Sequence, residues 1–203
     1  MYTVYGDYQS GNCYKVRLLL ALLDLEHVWV PVDILAKETR SAAFLAMNPN
    51  AKIPVLEIAP GTHLTESNAI LNYLAEGSDF LPSDRLERAR VLQWQFFEQY
   101  SHEPYIAVAR FIAKYLGLPE ARRAEYQSKQ DGGHRALAVM EQQLQATPFL
   151  AGVRYTIADI SLYAYTHVAQ EGGFELARYP AIAGWLQRVA QQPRHVTMEP
   201  AIA

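Results

Sequence analysis

The sequence predicts a chain in two parts, a small α/β piece followed by an all-α piece. Up to residue 76, strand-type and helix-type stretches alternate in the order β-α-β-α-β-β-α. Beyond Leu86 no convincing strand is found, only helical periodicity. Between them, Glu76 to Leu86 carries Gly77, Ser78, Asp79, Pro82 and Ser83, the composition of a connector. The expected division is therefore 1–76, a linker over 77–86, and a helical domain over 87–203.

Each element has its own signal. Thr3, Val4 and Tyr5 form a short β-type run, which gives way to a turn-rich stretch with Gly6, Asp7, Ser10, Gly11 and Asn12. A helix then opens, with Val16, Leu19, Leu20 and Leu23 on one stripe. Val28 to Val32 is β-branched and aromatic, and Pro31 places it at an edge or a strand end. Ser41 to Met47 reads as a helix that stops at the turn Asn48-Pro49-Asn50. Ile53 to Ile58 reads as a strand, Pro60-Gly61 as a tight turn, and His63-Leu64 as the start of the returning strand. Thr65 to Asn68 caps a helix carrying Ile70, Leu71 and Leu74. This order suits a small mixed sheet of thioredoxin-like arrangement.

In the second part, Arg85 to Tyr115 is helical, with Val91, Trp94 and Phe97 and later Ile106, Ala109 and Ile112 on the apolar stripe. Pro119 starts another helix, expected to break at Asp131-Gly132-Gly133 and resume to Leu144. Thr156 to Asp159 has the pattern of a capping box, flanked by Tyr155 and Ile160 as an expected hydrophobic staple. Pro180 opens a last helix and Pro193 closes it.

Half of the residues are apolar and 19% are charged, an ordinary globular composition. The formal charge of −3 supplies no basic excess to neutralise phosphates, which argues against nucleic acid as the main partner. A single cysteine rules out an intrachain disulfide framework and fits a reducing compartment. The first residues show no secretory pattern, and the apolar run Val16 to Leu25 is too short to span a bilayer. The expectation is a cytoplasmic protein with no membrane partner. The six histidines show no metal-ligand spacing, so no metal is expected.

The chemistry is expected where the first strand runs into the first helix. A helix N-terminus aims backbone N–H groups and the positive dipole end at one point, which stabilises an anion there. Ser10 stands at that point with a hydroxyl able to donate, and Cys13 follows one turn later. The site reads as one that holds a thiolate. A free thiol of pKa about 8.5 is only about 3% thiolate at neutral pH. A hydrogen bond to the charged form, worth about 1.5–3 kcal/mol, lowers that pKa by roughly one to two units. A less basic thiolate is also a poorer nucleophile, so positioning beside the electrophile must supply the remaining acceleration.

Four stretches together carry a family likeness: Ser10-Gly-Asn-Cys-Tyr-Lys-Val-Arg17, Asn48-Pro-Asn-Ala-Lys-Ile-Pro-Val-Leu56, Leu64-Thr-Glu-Ser-Asn-Ala-Ile-Leu71 and Phe149-Leu-Ala-Gly-Val-Arg-Tyr-Thr-Ile-Ala-Asp159. In this order they resemble the cytosolic glutathione S-transferases, in particular the serine-type theta and zeta classes and their relatives. The resemblance implies a thioredoxin-like N-terminal domain, an all-helical C-terminal domain, a homodimer, and reduced glutathione as co-substrate. It implies Ser10 as the catalytic residue, where redox proteins of this fold carry the first cysteine of a C-x-x-C pair. Tyr5 is the rival donor, since other classes use a tyrosine near the end of the first strand. Cys13 is the other alternative.

For glutathione itself, the resemblance implies a cis bond at Ile53-Pro54 that turns the Ile53 backbone outward to pair with the tripeptide. It implies Ser67 for the γ-glutamyl carboxylate and Glu66 for the ammonium or the nearby backbone. Lys52, Thr39 and Arg40 are candidates for the glycyl carboxylate, although the family often has glycine or histidine near the last two. Tyr8, Tyr105, Ala109 and Ile112 are the expected walls for a small apolar electrophile. An isomerase, peroxidase or disulfide reductase on the same scaffold remains an alternative, as does a non-enzymatic ligand- or protein-binding module.

Overall fold

Val4 is fully buried at the centre of β1 (Tyr2–Gly6), and the first sheet is built outward from it. In the computed structural model, which describes residues 1–198, β2 (His27–Pro31) pairs with β1 in parallel, Val4 opposite Trp29. On its other side β1 pairs antiparallel with β3 (Val55–Ala59), Val4 opposite Leu56. β3 in turn pairs antiparallel with β4 (Thr62–Leu64), giving the order β2-β1-β3-β4. A parallel neighbour needs a crossover, and α1 (Gly11–Leu22) supplies it. β3 begins one residue after Pro54, which has no N–H to give to a ladder. A short 3-10 turn (Glu38–Arg40) leads to α2 (Ala42–Met47), capped by Ser41. α3 (Ser67–Ala75) packs against α1.

α1 is enclosed on more than the expected stripe. Val16, Leu19 and Leu20 are buried, and so are Cys13, Tyr14, Lys15, Leu18 and Leu22, while Leu23 is only half-buried at the C-cap. Part of that enclosure comes from the far end of the chain. Tyr14 donates to the Val196 carbonyl at 2.7 Å, and the Arg17 guanidinium donates to the carbonyls of Thr197 and Met198. By its contacts the chain divides into two compact units, Met1–Ser78 with the segment from Pro193, and Asp79–Gln192.

The second unit is helical. Asp84 caps α4 (Arg85–Phe97), accepting from the N–H groups of Leu86 and Glu87, both at 2.9 Å. α4 runs through a wide π turn (Glu98–His102) into α5 (Glu103–Arg110) and a second π turn (Phe111–Tyr115). After a 3-10 turn (Glu120–Arg122), α6 (Arg123–Ala146) is unbroken, contrary to the expected interruption at Gly132-Gly133. Those glycines serve close packing. A Cβ on Gly132 would lie 2.2 Å from the Tyr105 ring, and one on Gly133 would lie 2.3 Å from the Phe174 ring. Two aromatic rings thus occupy the space that side chains would need.

α7 (Ile157–Thr166) is buried along its whole length and starts at the expected capping box. The Asp159 carboxylate accepts from Thr156 N–H at 3.0 Å, from Leu150 N–H at 2.9 Å and from the Trp185 indole at 2.9 Å. Trp185 belongs to α8 (Pro180–Ala190), so one carboxylate ties a loop, a helix start and a second helix together. Among the described residues no helix is long and apolar enough to cross a membrane.

Candidate functional site

Ser10 is the N-cap of α1, in extended backbone, with its Oγ accepting from Cys13 N–H at 3.4 Å. The loop before it is held by Asp7, whose carboxylate accepts from Gln9 N–H at 2.8 Å and whose carbonyl accepts from Ser10 N–H at 3.1 Å. Ser10 is half-buried, and besides this long cap bond its hydroxyl faces the Cys13 thiol, a neutral partner that a charged ligand can replace. α1 carries no acidic residue in its first turn, so no carboxylate on the helix itself neutralises its positive end.

The two alternatives to Ser10 are occupied otherwise. Cys13 is fully buried, and that burial pushes its thiol up to about 12 against a smaller opposing hydrogen bond from Ser10. A thiol in that state is neutral at pH 7 and screened from any ligand. Tyr5 packs against the cluster of Val32, Phe44 and Val55, and its hydroxyl donates to Glu57 Oε2 at 3.1 Å. Burial first, and then the Glu57 contacts, raise its pKa above the usual phenol value. That makes it a weaker acid. Tyr8 is stacked on Trp29 with ring centroids 4.7 Å apart, and the Arg17 guanidinium lies 5.2 Å from its ring.

The start of α3 is a second helix end of the same unit, and its N-cap residue supplies no side-chain cap. Glu66, the residue before it, has φ 65° and ψ 109°, and its side chain makes no cap bond. A non-glycine residue held at such an angle costs about 1–3 kcal/mol, a strain that clusters at ligand sites. Ser67 follows, buried, with its hydroxyl in a compact polar group. Its Oγ donates to Asn12 Oδ1 at 3.2 Å and accepts from the Lys15 amine at 3.3 Å. Lys15 also donates to Asn12 Oδ1 at 2.8 Å.

The Ile53-Pro54 bond is cis. Ile53 is half-buried against the Val32, Phe44 and Val55 cluster, and the exposed Lys52 has its carbonyl fixed by the Asn48 side-chain amide at 2.7 Å. Thr39 and Arg40 share the 3-10 turn but differ: Thr39 is buried and Arg40 is exposed. Of the candidates for the glycyl carboxylate, Lys52 and Arg40 present charge to solvent.

In the helical unit the expected walls separate. Tyr105 is half-buried, its ring against Gly132 and 6.0 Å from the Lys129 amine. Ala109 and Ile112 are fully buried, with Ala109 close to Gly172, so neither offers surface to an electrophile. They are correctly placed on the apolar stripe, and the stripe faces the unit's own core.

Two residues of the polar group under α3, Asn12 and Lys15, went unmarked in the sequence. Lys15 carries no local signal, because it sits beside the apolar stripe of α1 and lysine is almost never fully buried. Asn12, two residues after the cap, had the turn-forming character of its neighbours and no more.

The chain matches the N-terminal domain of glutathione S-transferase over residues 1–76 and the C-terminal domain over residues 94–193. It belongs to the glutathione S-transferase family, whose enzymes use glutathione as co-substrate. Among solved structures it is similar to a glutathione S-transferase from Pseudomonas fluorescens Pf-5, with 65% identity and a TM-score of 0.96, covering 97% of this chain and 98% of that one. It is also similar to another family member from P. fluorescens Pf-5, solved with two glutathione bound, at 26% identity and a TM-score of 0.82 over 95% of this chain and 89% of that one. Among curated relatives, a maleylacetoacetate isomerase of Rhizobium meliloti is 37% identical over 198 residues, 93% of this chain and 91% of the relative. Among the described residues, no group of three or more His, Cys, Asp or Glu could hold a metal ion.

Proposed function

We propose that the protein is a serine-type glutathione transferase in which Ser10 holds the glutathione sulfur as a thiolate. The observation that carries this is the contrast at one helix end. Ser10 is only half-buried and its hydroxyl is engaged by a 3.4 Å cap bond and the neutral Cys13 thiol, whereas that thiol is fully buried and raised to about 12 and the Tyr5 hydroxyl is committed to the Glu57 carboxylate. The Ser10 hydroxyl and the N-terminus of α1 stabilise the charged sulfur, whose proton leaves to solvent. The thiolate then attacks an electrophilic carbon, forming the C–S bond while the displaced electron pair goes to a leaving group or into an adjacent conjugated acceptor.

Glutathione lies with its γ-glutamyl carboxylate at Ser67 and the first N–H groups of α3, beside Glu66, and with its cysteinyl backbone along Ile53 before Pro54. Lys52, assisted by Arg40, takes the glycyl carboxylate. Thr39 is buried and contributes less. Tyr8 borders the electrophile. The glutathione domain is residues 1–76, the connector 77–86 and the helical domain 87–192, the expected boundary at 203 giving way because the segment from Pro193 groups with the first unit. The enzyme acts in the cytoplasm as a homodimer. Supporting the dimer, α4 and its π turn expose Leu92, Phe96 and Tyr100 at four-residue spacing, Tyr100 being 85% exposed.

Ser67→Ala tests the glutathione site. Calorimetric titration is expected to show affinity falling about tenfold or more, the loss of one hydrogen bond to a charged group. Unchanged affinity would remove Ser67 from the site.

The identity with a maleylacetoacetate isomerase favours one second reading, glutathione-dependent cis–trans isomerisation at the same Ser10 site. Thiolate addition to a conjugated diketo acid, bond rotation and elimination would return the glutathione. Turnover of such a substrate without net consumption of thiol distinguishes isomerase from transferase.

A further inference from the structure

A lysine with no exposed surface is a costly thing to place on a helix, and Lys15 is fully buried between α1 and α3. Its amine has three protons and no lone pair, so every neighbour it bonds must accept. Two of those neighbours are Asn12 Oδ1 at 2.8 Å and Ser67 Oγ at 3.3 Å. The Ser67 hydroxyl, with a lone pair held by Lys15, directs its own proton to Asn12 Oδ1 at 3.2 Å. The Asn12 oxygen thus receives two protons, one from Lys15 and one from Ser67.

This triangle has a consequence for any anion arriving at the N-terminus of α3. If the Ser67 proton swings to the newcomer, Asn12 Oδ1 keeps its bond from Lys15, so no buried acceptor is orphaned by the exchange. Donation from a cation into Ser67 Oγ also polarises the hydroxyl and makes it a stronger donor. The positive charge below the site adds to the helix end above it.

We propose that Lys15 is a positioning residue that holds the Ser67 hydroxyl ready to donate to the γ-glutamyl carboxylate of glutathione. The proposal rests on the assignment of Ser67 to that carboxylate. Lys15 itself stays under the helix end and acts through Ser67, and its effect is specific to a ligand that carries the carboxylate.

The test compares reduced glutathione with 4-aminobutanoyl-cysteinyl-glycine, the same tripeptide without the γ-glutamyl α-carboxylate, by calorimetric titration of wild type and Lys15→Met. Wild type is expected to bind glutathione more tightly than the analogue. In Lys15→Met the affinity for glutathione falls about ten- to hundredfold toward that of the analogue, while the analogue's own affinity stays within about twofold. In steady-state kinetics the KM for glutathione rises and kcat at saturating glutathione holds. Lys15→Gln, which keeps one amide donor without the charge, gives an intermediate loss confined to glutathione, and it carries the test if Lys15→Met does not fold. Equal losses for both ligands, or no loss for either, overturn the proposal. If wild type binds both ligands equally, the Ser67 assignment has failed first, a result distinguishable because it needs no variant.

Discussion

Two helix starts in this molecule use the same residue types for opposite ends. At α7 the cap is closed: Thr156 and Asp159 are buried, and the carboxylate is saturated by Thr156, Leu150 and Trp185. At α1 the cap is left open: Ser10 is half-exposed and accepts one bond of 3.4 Å. The start of α3 resembles the second, with a strained Glu66 that supplies no cap bond and a Ser67 hydroxyl that can exchange its partner. A helix end closed by a buried carboxylate is structure; one whose cap residue is half-exposed, or makes no side-chain cap bond, is more readily shared with a ligand.

The largest expected effect breaks the closed cap. Asp159→Ala leaves the buried N–H groups of Leu150, Thr156 and the Trp185 indole unanswered, at about 1–3 kcal/mol each. Thermal denaturation is expected to show a loss of about 3–5 kcal/mol. A loss below about 1 kcal/mol would mean that the Asp159 carboxylate does not close the cap.

At the open cap the expected effect is on chemistry more than on the fold. Ser10→Ala removes one weak cap bond and costs about 0.5–2 kcal/mol of stability. Turnover with glutathione and an electrophile at neutral pH falls about threefold, because the loss of ionised thiol is partly offset by the greater nucleophilicity of a more basic thiolate. If denaturation midpoints fell as far as for Asp159→Ala while turnover held, the comparison would be reversed.

A smaller effect sharpens the same contrast through pH. Burial raises the Asp159 carboxyl to about 6, against the donors that favour its charged form. Its pKa is thus higher folded than unfolded, so the native state binds the proton more tightly. This group's contribution is fully present below its unfolded value of about 3.9 and is lost as the pH rises through about 6. Denaturation followed from pH 4 to 7 is expected to show that component in wild type and not in Asp159→Asn. The same slope in both proteins would assign it to other groups.

The sheet, the helices and both caps were legible because each has a local cause: β-branched runs, apolar stripes, and hydroxyl or carboxyl residues at helix starts. What escaped depends on partners distant in sequence. Gly132 and Gly133 carry the signal of a breaker, yet Tyr105 and Phe174 take their side-chain space within an unbroken α6. The apolar stripe on α1 accounts for the burial of Val16, Leu19 and Leu20, but the C-terminal segment over Tyr14 and Arg17 encloses further faces of that helix. For the same reason Lys15 lay outside the expected site, since its burial follows from α3 closing over it. Ala109 and Ile112 show the converse limit: periodicity finds the apolar face and does not say whether a core or a ligand covers it.

Ultraviolet titration of bound glutathione reads the state of the sulfur at Ser10 directly. In wild type the thiolate is expected to form one to two pH units below its value of about 8.5 in free solution, and in Ser10→Ala to return toward that value. A bound thiol that titrates identically in the two proteins would contradict the assignment of Ser10.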